Sequence, residues 1–125
     1  MSHLKNLEIN FQLLCTKVGE IIGDDSPQRI QASMVYLLEE VSYARHQWEL
    51  CLKNRDWHQA SKILHREKLF INAFDLFYQP EMINQIQKSP DDFKLTELKF
   101  FYTEMIQLFK KFETLISQNN GSLPT

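Results

Sequence analysis

Glycine and proline are scarce in this chain. Three glycines (Gly19, Gly23, Gly121) and four prolines (Pro27, Pro80, Pro90, Pro124) are spread over 125 residues. So few, so placed, leave no glycine-rich phosphate loop and no internal linker, repeat or low-complexity block. Cysteine is down to two, Cys15 and Cys51, each inside an apolar helical pattern and neither in a CxxC or His-rich cluster. They are expected to be reduced, buried core thiols, which sets aside both a disulfide framework and a metal site. No long apolar run occurs. Lys5 and Glu8 interrupt the first residues, which argues against a signal peptide, and no later stretch is long enough to span a membrane. The expected compartment is the cytoplasm, with no membrane partner. An excess of one charge is also missing. The net charge is −2 with acids and bases interspersed, so nucleic acid is not an expected partner.

What is present is an ordinary globular composition, 43% apolar and 24% charged, at about the length of one domain. A single domain over residues 1–125 is expected, monomeric, with residues 119–125 as a flexible tail. Helical periodicity runs between the few breaks, and no period-two alternation is sustained. The first helix is expected from His3 to Ile22, with Leu4, Leu7, Phe11, Leu14, Val18 and Ile21 on one stripe and Gly19 and Gly23 loosening its end. Ser26 reads as an N-cap and Pro27 as the first helical residue of a second helix, where its missing N–H costs nothing. That helix carries Ile30, Met34, Leu37, Val41, Ala44, Trp48 and Cys51 to Asn54, a span of roughly 40 Å. Asp56 and Gln59 form a capping signature for a third helix reaching Tyr78. A short helix follows Pro80 through Met82, Ile83 and Ile86. After Lys88-Ser89-Pro90-Asp91, the last helix runs from Leu95 to Gln118 on Leu98, Phe101, Met105, Leu108, Phe112 and Leu115.

Short connections between long amphipathic helices predict an all-α chain, an antiparallel four-helix bundle with an additional short helix. Fifteen aromatics, bunched at Phe70 to Tyr78 and Phe100 to Phe112, read as its core and not as a cofactor groove. Chemistry has few places to reside. No Glu-x-x-His pair offers a di-metal carboxylate set, no Ser or Cys has a base and orienter at a recognisable spacing, and no cofactor or metal is expected. Of four histidines, His3 falls in a mobile start, His58 in the exposed first turn of the third helix, and His46 one residue off an apolar stripe. Each reads as a surface residue. His65 differs in its surroundings. Ser61, Lys62, His65, Lys68, Leu69 and Asn72 recur at three and four residues on one helix face, away from Ala60, Ile63, Phe70, Phe74 and Phe77. The spacing stands the imidazole in water, with a lysine one turn to each side. Such an imidazole is a fair nucleophile near neutral pH, and the cations would favour an incoming phosphoryl group. The same spacing also fits a solvated mixed-charge face.

The stretch Leu52-Lys53-Asn54-Arg55-Asp56-Trp57-His58-Gln59-Ala60-Ser61-Lys62-Ile63-Leu64-His65-Arg66-Glu67-Lys68 resembles the signature of histidine-containing phosphotransfer (HPt) domains. In that family an Asp-Trp-like cap opens the active helix, the phosphorylated His follows about nine residues on, and a Lys comes three residues later. Asp56, His65 and Lys68 meet those positions. The likeness extends loosely over nearly the whole chain. It implies a phosphorelay intermediate of two-component signalling. His65 would take a phosphoryl group from a receiver-domain aspartate and hand it to another receiver, with response-regulator receivers or a hybrid histidine kinase as partners. Lys68, and more weakly Lys62, would steady the phosphate, and Ser61, Leu69 and Asn72 would belong to the docking face. Magnesium belongs to the receiver, so the chain would be a phosphoryl carrier and not a self-sufficient enzyme.

Three positions depart from the family pattern. Leu69 stands where a small residue, most often glycine, is usual four after the His. Glu67 stands where an apolar residue is usual, and Asp75 replaces a second glycine, although Ala73 and Phe74 fit the small and apolar positions before it. These departures keep a second class open, a degenerate helical adaptor that binds a signalling partner without chemistry. A histidine-kinase dimerisation helix pair fits least, since Arg66 follows the His where that motif has an acid.

Overall fold

A computed structural model describes residues 3–5 and 8–119 of the chain. Among them the protein is all-helical. Five α-helices are present, α1 (Phe11–Ile22), α2 (Pro27–Asn54), α3 (Trp57–Ala73), α4 (Glu81–Lys88) and α5 (Leu95–Asn119), with a 3-10 turn at Pro90–Asp92 between the last two. Of the expected tail, residues 119–125, Asn119 closes α5 and residues 120–125 lie outside the described residues, as do residues 6 and 7 with Leu7 of the expected first stripe. No helix among the described residues is long and apolar enough to cross a membrane.

Each boundary has a local cause. α1 does not begin at His3. It begins after Asn10, whose backbone is extended (φ −125°) and whose Oδ1 accepts from the Leu13 N–H at 2.8 Å. Upstream, residues 3–5 are not helical and find backbone partners elsewhere. The Lys5 N–H donates to the Leu76 carbonyl at 2.6 Å, and the Tyr78 N–H donates to that of His3 at 3.1 Å. α1 ends at Gly23, left-handed at φ 71°, where a side chain would be strained. α2 has the expected bounds, but Ser26 makes no side-chain cap bond. Its own N–H donates instead to Asp24 Oδ1 at 2.8 Å, and that bond holds the Asp24 carboxyl below the usual carboxylate range. α3 is capped by Asp56, whose Oδ1 accepts from the Gln59 N–H at 3.1 Å. The Asp56 N–H goes to the Cys51 carbonyl at 2.9 Å, so the closing half of the capping signature is taken by the preceding helix.

α3 stops at Ala73, five residues short of Tyr78. Asp75 adopts φ +49°, and the segment after it is claimed by the N-terminal strap through an isolated bridge between Leu4 and Phe77. Lys5 Nζ meets Asp75 Oδ2 at 3.3 Å. His3 is therefore part of an anchored segment. Its N–H donates to Glu104 Oε1 at 3.0 Å, and its ring meets Phe100 edge-on at 5.5 Å between centroids.

The core lies where α2 packs along α5, their contact being the most extensive between any two elements, with α3 closing over it. Trp48, Phe101, Tyr102, Phe109 and Phe112 are fully buried. The Trp48 ring meets Phe109 edge-on at 4.8 Å, and its Nε1–H donates to the Ala60 carbonyl at 3.2 Å. Phe70 of α3 meets Phe112 at 5.0 Å and Phe109 at 6.1 Å. Most of the expected aromatic stripe is thus core, although Phe100 and Tyr78 are exposed. Cys51 is buried; Cys15, expected to be buried, is only partly so. On the α2–α5 flank, Arg45 Nε donates to Glu113 Oε1 at 2.6 Å and Nη1 to Glu49 Oε1 at 2.5 Å, while Ser42 Oγ donates to Glu113 at 2.9 Å.

Asp75 tests the turn that ends α3. A non-glycine residue in the left-handed region costs roughly 1–2 kcal/mol, less for Asp than for Ala, because Asp bonds its own backbone locally. In urea denaturation, Asp75→Ala should lose about 1 kcal/mol more than Asp75→Gly. Equal losses would show that the exposed Lys5 contact, and not the backbone angle, is what Asp75 supplies.

Candidate functional site

The rotation of α3 sorts its side chains into three lines along the helix. Lys62, His65, Leu69 and Asn72 follow one another at three- and four-residue steps and are all exposed. Leu69 is 73% exposed. The His65 imidazole makes no hydrogen bond and no ion pair among the described residues. A second line, Ser61, Leu64, Lys68 and Ile71, turns toward the interior. Leu64 and Ile71 are buried, Lys68 is half-buried, and Ser61 is 7% exposed with its Oγ donating to the His58 carbonyl at 2.8 Å. Ser61 is therefore not on the docking face expected of it. The cause is geometric: it shares a line with two core residues, and a small hydroxyl satisfied by its own helix can be buried at little cost. Lys68 stands at the edge of the exposed face, one turn beyond His65.

The third line is Ile63, Glu67, Phe70 and Phe74, all buried. The expected apolar stripe, Ala60, Ile63, Phe70, Phe74 and Phe77, included the apolar members of this line but not Glu67. Its step of four after Ile63 and three before Phe70 is the signal that could have placed it in the seam. Glu67 is 4% exposed and its Oε1 has no hydrogen-bond partner. Its side chain is hydrogen-bonded to Glu40 of α2. Burial above all, and then the Glu40 carboxylate, push the Glu67 carboxyl up to about 8. Burial works in the same sense on Glu40, but hydrogen bonds from Glu67 and Arg66 outweigh it and hold Glu40 below its usual range. The two directions describe one proton, held on Glu67 and shared with an ionised Glu40. Arg66 completes the cluster with a two-pronged contact on Glu40, Nε to Oε1 at 2.5 Å and Nη2 to Oε2 at 2.7 Å. Its guanidinium lies over the Tyr43 ring at 4.9 Å.

Beside this cluster runs a groove of about 490 Å³ between α1, α2 and α3, bounded by Val18, Ile22, Tyr36, Glu40, Arg66 and Leu69. Tyr36 is 74% exposed, so the groove opens onto the same side of the molecule as Leu69. The remaining histidines stand apart from this face. His58 Nε2 lies 3.5 Å from Asp91 Oδ2, both exposed, and His46 sits on α2 beside Glu49. Among the described residues no group of three or more His, Cys, Asp or Glu could hold a metal ion. Of the three departures from the expected motif, Leu69 is a free apolar projection, Glu67 is a buried acid, and Asp75 reproduces at φ +49° the backbone conformation glycine favours.

No protein-family model, curated protein or solved structure matches the chain.

Glu67 makes a pH prediction. Its carboxyl is raised from an ordinary 4.5 to about 8, so the folded state holds the proton more tightly than the unfolded chain. The stability this supplies is complete below about pH 4.5 and is lost as pH rises toward about 8. Urea midpoints of the wild type should fall across that window, and Glu67→Gln should flatten the fall and be the more stable protein at pH 8. A wild-type profile that rises through the same window would show Glu67 to be ionised in its buried place.

Proposed function

We propose that this chain is an antiparallel four-helix bundle with an additional short helix, α4, that works as a phosphorelay intermediate on His65. The observation that supports this most is the exposed line Lys62–His65–Leu69–Asn72, with an imidazole that has no partner among the described residues and a lysine one turn away on either side. His3 packs on Phe100 and His58 meets Asp91, so neither imidazole is so presented. In this reading a receiver domain docks over α2 and α3. The Nε2 lone pair of His65 attacks the phosphorus of the receiver's aspartyl phosphate, a P–N bond forms as the P–O bond breaks, and the electron pair leaves on the aspartate carboxylate. A second receiver reverses the step. The chain contributes the nucleophile, its position and the charge of Lys68 and Lys62; no cofactor of its own is needed. The protein would act as a monomer in the cytoplasm.

A second reading, an adaptor that binds a signalling partner without chemistry, draws on Leu69. A leucine 73% exposed one turn beyond His65 occupies space that a docking partner would need. Leu69 either obstructs a receiver or is the contact that a particular receiver accommodates. The intact spacing of His65 and Lys68 favours accommodation.

The deciding experiment is phosphoryl uptake from phosphorylated receivers. The adduct should be acid-labile and base-stable, and His65→Gln should abolish it with the fold preserved; label mapping to His46 or His58 would overturn the assignment. Lys68→Ala should slow transfer or shorten the phosphohistidine lifetime by a contact worth about 1 kcal/mol or less. An unchanged rate and lifetime would make Lys68 an ordinary edge residue.

Leu69→Gly separates the two readings when transfer rates are compared across a panel of receivers. Accommodation predicts a weaker native partner and broader acceptance, with roughly 1 kcal/mol of helix stability lost. A gain in rate with every receiver, the native one included, would mark Leu69 as an obstruction and favour the adaptor.

A further inference from the structure

An acid on the buried line of α3 is an expensive occupant of a place that any apolar side chain would fill, since a carboxyl left without full hydrogen bonding in a seam costs stability. Glu67 is not isolated there. It faces Glu40 across the α2–α3 seam, Glu40 holds Arg66 by two contacts, and both Glu40 and Arg66 form part of the wall of the 490 Å³ groove. Arg66 is the residue next to His65. The charged groups that act on Glu67 are Glu40 from α2 and Arg66 from α3 itself; α1, α4 and α5 bring none among the described residues. α1 contributes Val18, Ile21 and Ile22 to the groove, and α5 meets this helix through Phe109 and Phe112 against Phe70.

We propose that Glu67, Glu40 and Arg66 form a proton-operated latch between α2 and α3 that sets the shape and charge of the groove beside His65. With Glu67 neutral, its O–H donates to Glu40, the two carboxyls carry one negative charge between them, and Arg66 balances it. When the proton leaves to water, two carboxylates compete for one guanidinium in a seam that shields them poorly. Arg66 is drawn off its seat over Tyr43, the groove wall loosens, and the cluster beside the acceptor face gains a net negative charge. That charge opposes the approach of a phosphoryl group. The reading of His65 as the phosphoacceptor supplies what the latch regulates, but the latch itself is a property of the unphosphorylated protein. Glu67 and Arg66 are in this account positioning residues, not catalytic ones.

The test uses the full chain without phosphate. Carbon-detected NMR of labelled glutamate carboxyls and of the Arg66 Nε–H, followed from pH 5 to 10, should show one shared step with a midpoint near pH 8. The Glu67 carboxyl ionises in that step, and the Arg66 Nε–H loses its protection from exchange. Glu67→Gln should remove the step from the Arg66 signal. Glu67→Leu, which places an apolar residue on an otherwise apolar line, should remove it as well and serves if the glutamine variant folds poorly. A Glu67 midpoint near 4.5, or an Arg66 step that survives both substitutions, would overturn the latch. A parallel measurement of His65 phosphorylation by phosphoramidate, a small donor that needs no docking, should slow through the same pH step in the wild type and not in Glu67→Gln. Slowing equal in both proteins would overturn the coupling to His65. No uptake at any pH would overturn the phosphoacceptor reading, while the NMR step would still decide the latch.

Discussion

Three helices are tied together at one indole. Trp48 sits in the last two turns of α2, packs edge-on against Phe109 of α5, and donates its N–H to the Ala60 carbonyl of α3. Without that bond a buried N–H would be left unsatisfied, and without the ring the α2–α5 seam would lose its largest fully buried side chain. Its consequence for function is rotational. Once Ala60 faces Trp48, a helix that turns about 100° per residue must carry His65 roughly 140° away, toward solvent. Phe70, meeting Phe109 and Phe112, fixes the same rotation almost three turns beyond Ala60. The exposed line through His65 is the complement of these contacts.

Glu67 belongs to the same constraint seen from the seam. A rotation that exposes His65 buries the residue two positions on, and in this chain that residue is an acid. The molecule answers with the chemistry available nearby: a second carboxylate able to share a proton and an arginine able to neutralise the pair. Arg66 is thereby committed to α2, which leaves Lys62 and Lys68 as the cations one turn from His65. Charge on the α2–α5 flank is handled differently. There Arg45 satisfies Glu113 and Glu49 at once at a partly exposed site, and its own proton is held more firmly than usual by those bonds. That cluster is a clamp, whereas the Glu67 cluster holds a proton whose loss has no neutral way out.

The N-terminal strap shows how far tertiary partners can override local pattern. His3, Leu4 and Lys5 carry residues compatible with a helix, and the residues from Phe74 to Tyr78 continue the apolar spacing of α3. Each segment instead leaves its neighbouring helix to pair with the other. Two stretches about seventy residues apart exchange backbone hydrogen bonds, a preference that no window of local periodicity contains. Asp75, in the left-handed region, is the hinge that lets α3 end in time for this pairing.

By itself the sequence determined the helical class, the limits of α2, the cap at Asp56 and the start of α5, because caps, proline positions and apolar spacing act over one or two turns. Helical period also placed Lys62, Leu69 and Asn72 on one exposed line with His65, but it set Ser61 and Lys68 beside them, and of these Ser61 is buried and Lys68 half-buried. Only the tertiary structure decided that Ser61 lies in the seam, that Glu67 is buried against Glu40, that residues 3–5 form a strap, and that Cys15 is half-buried. The physical reason is the same in each case. Burial of a small or polar side chain depends on whether a partner elsewhere in the chain can satisfy it, and such partners are brought close by packing, not by proximity in sequence.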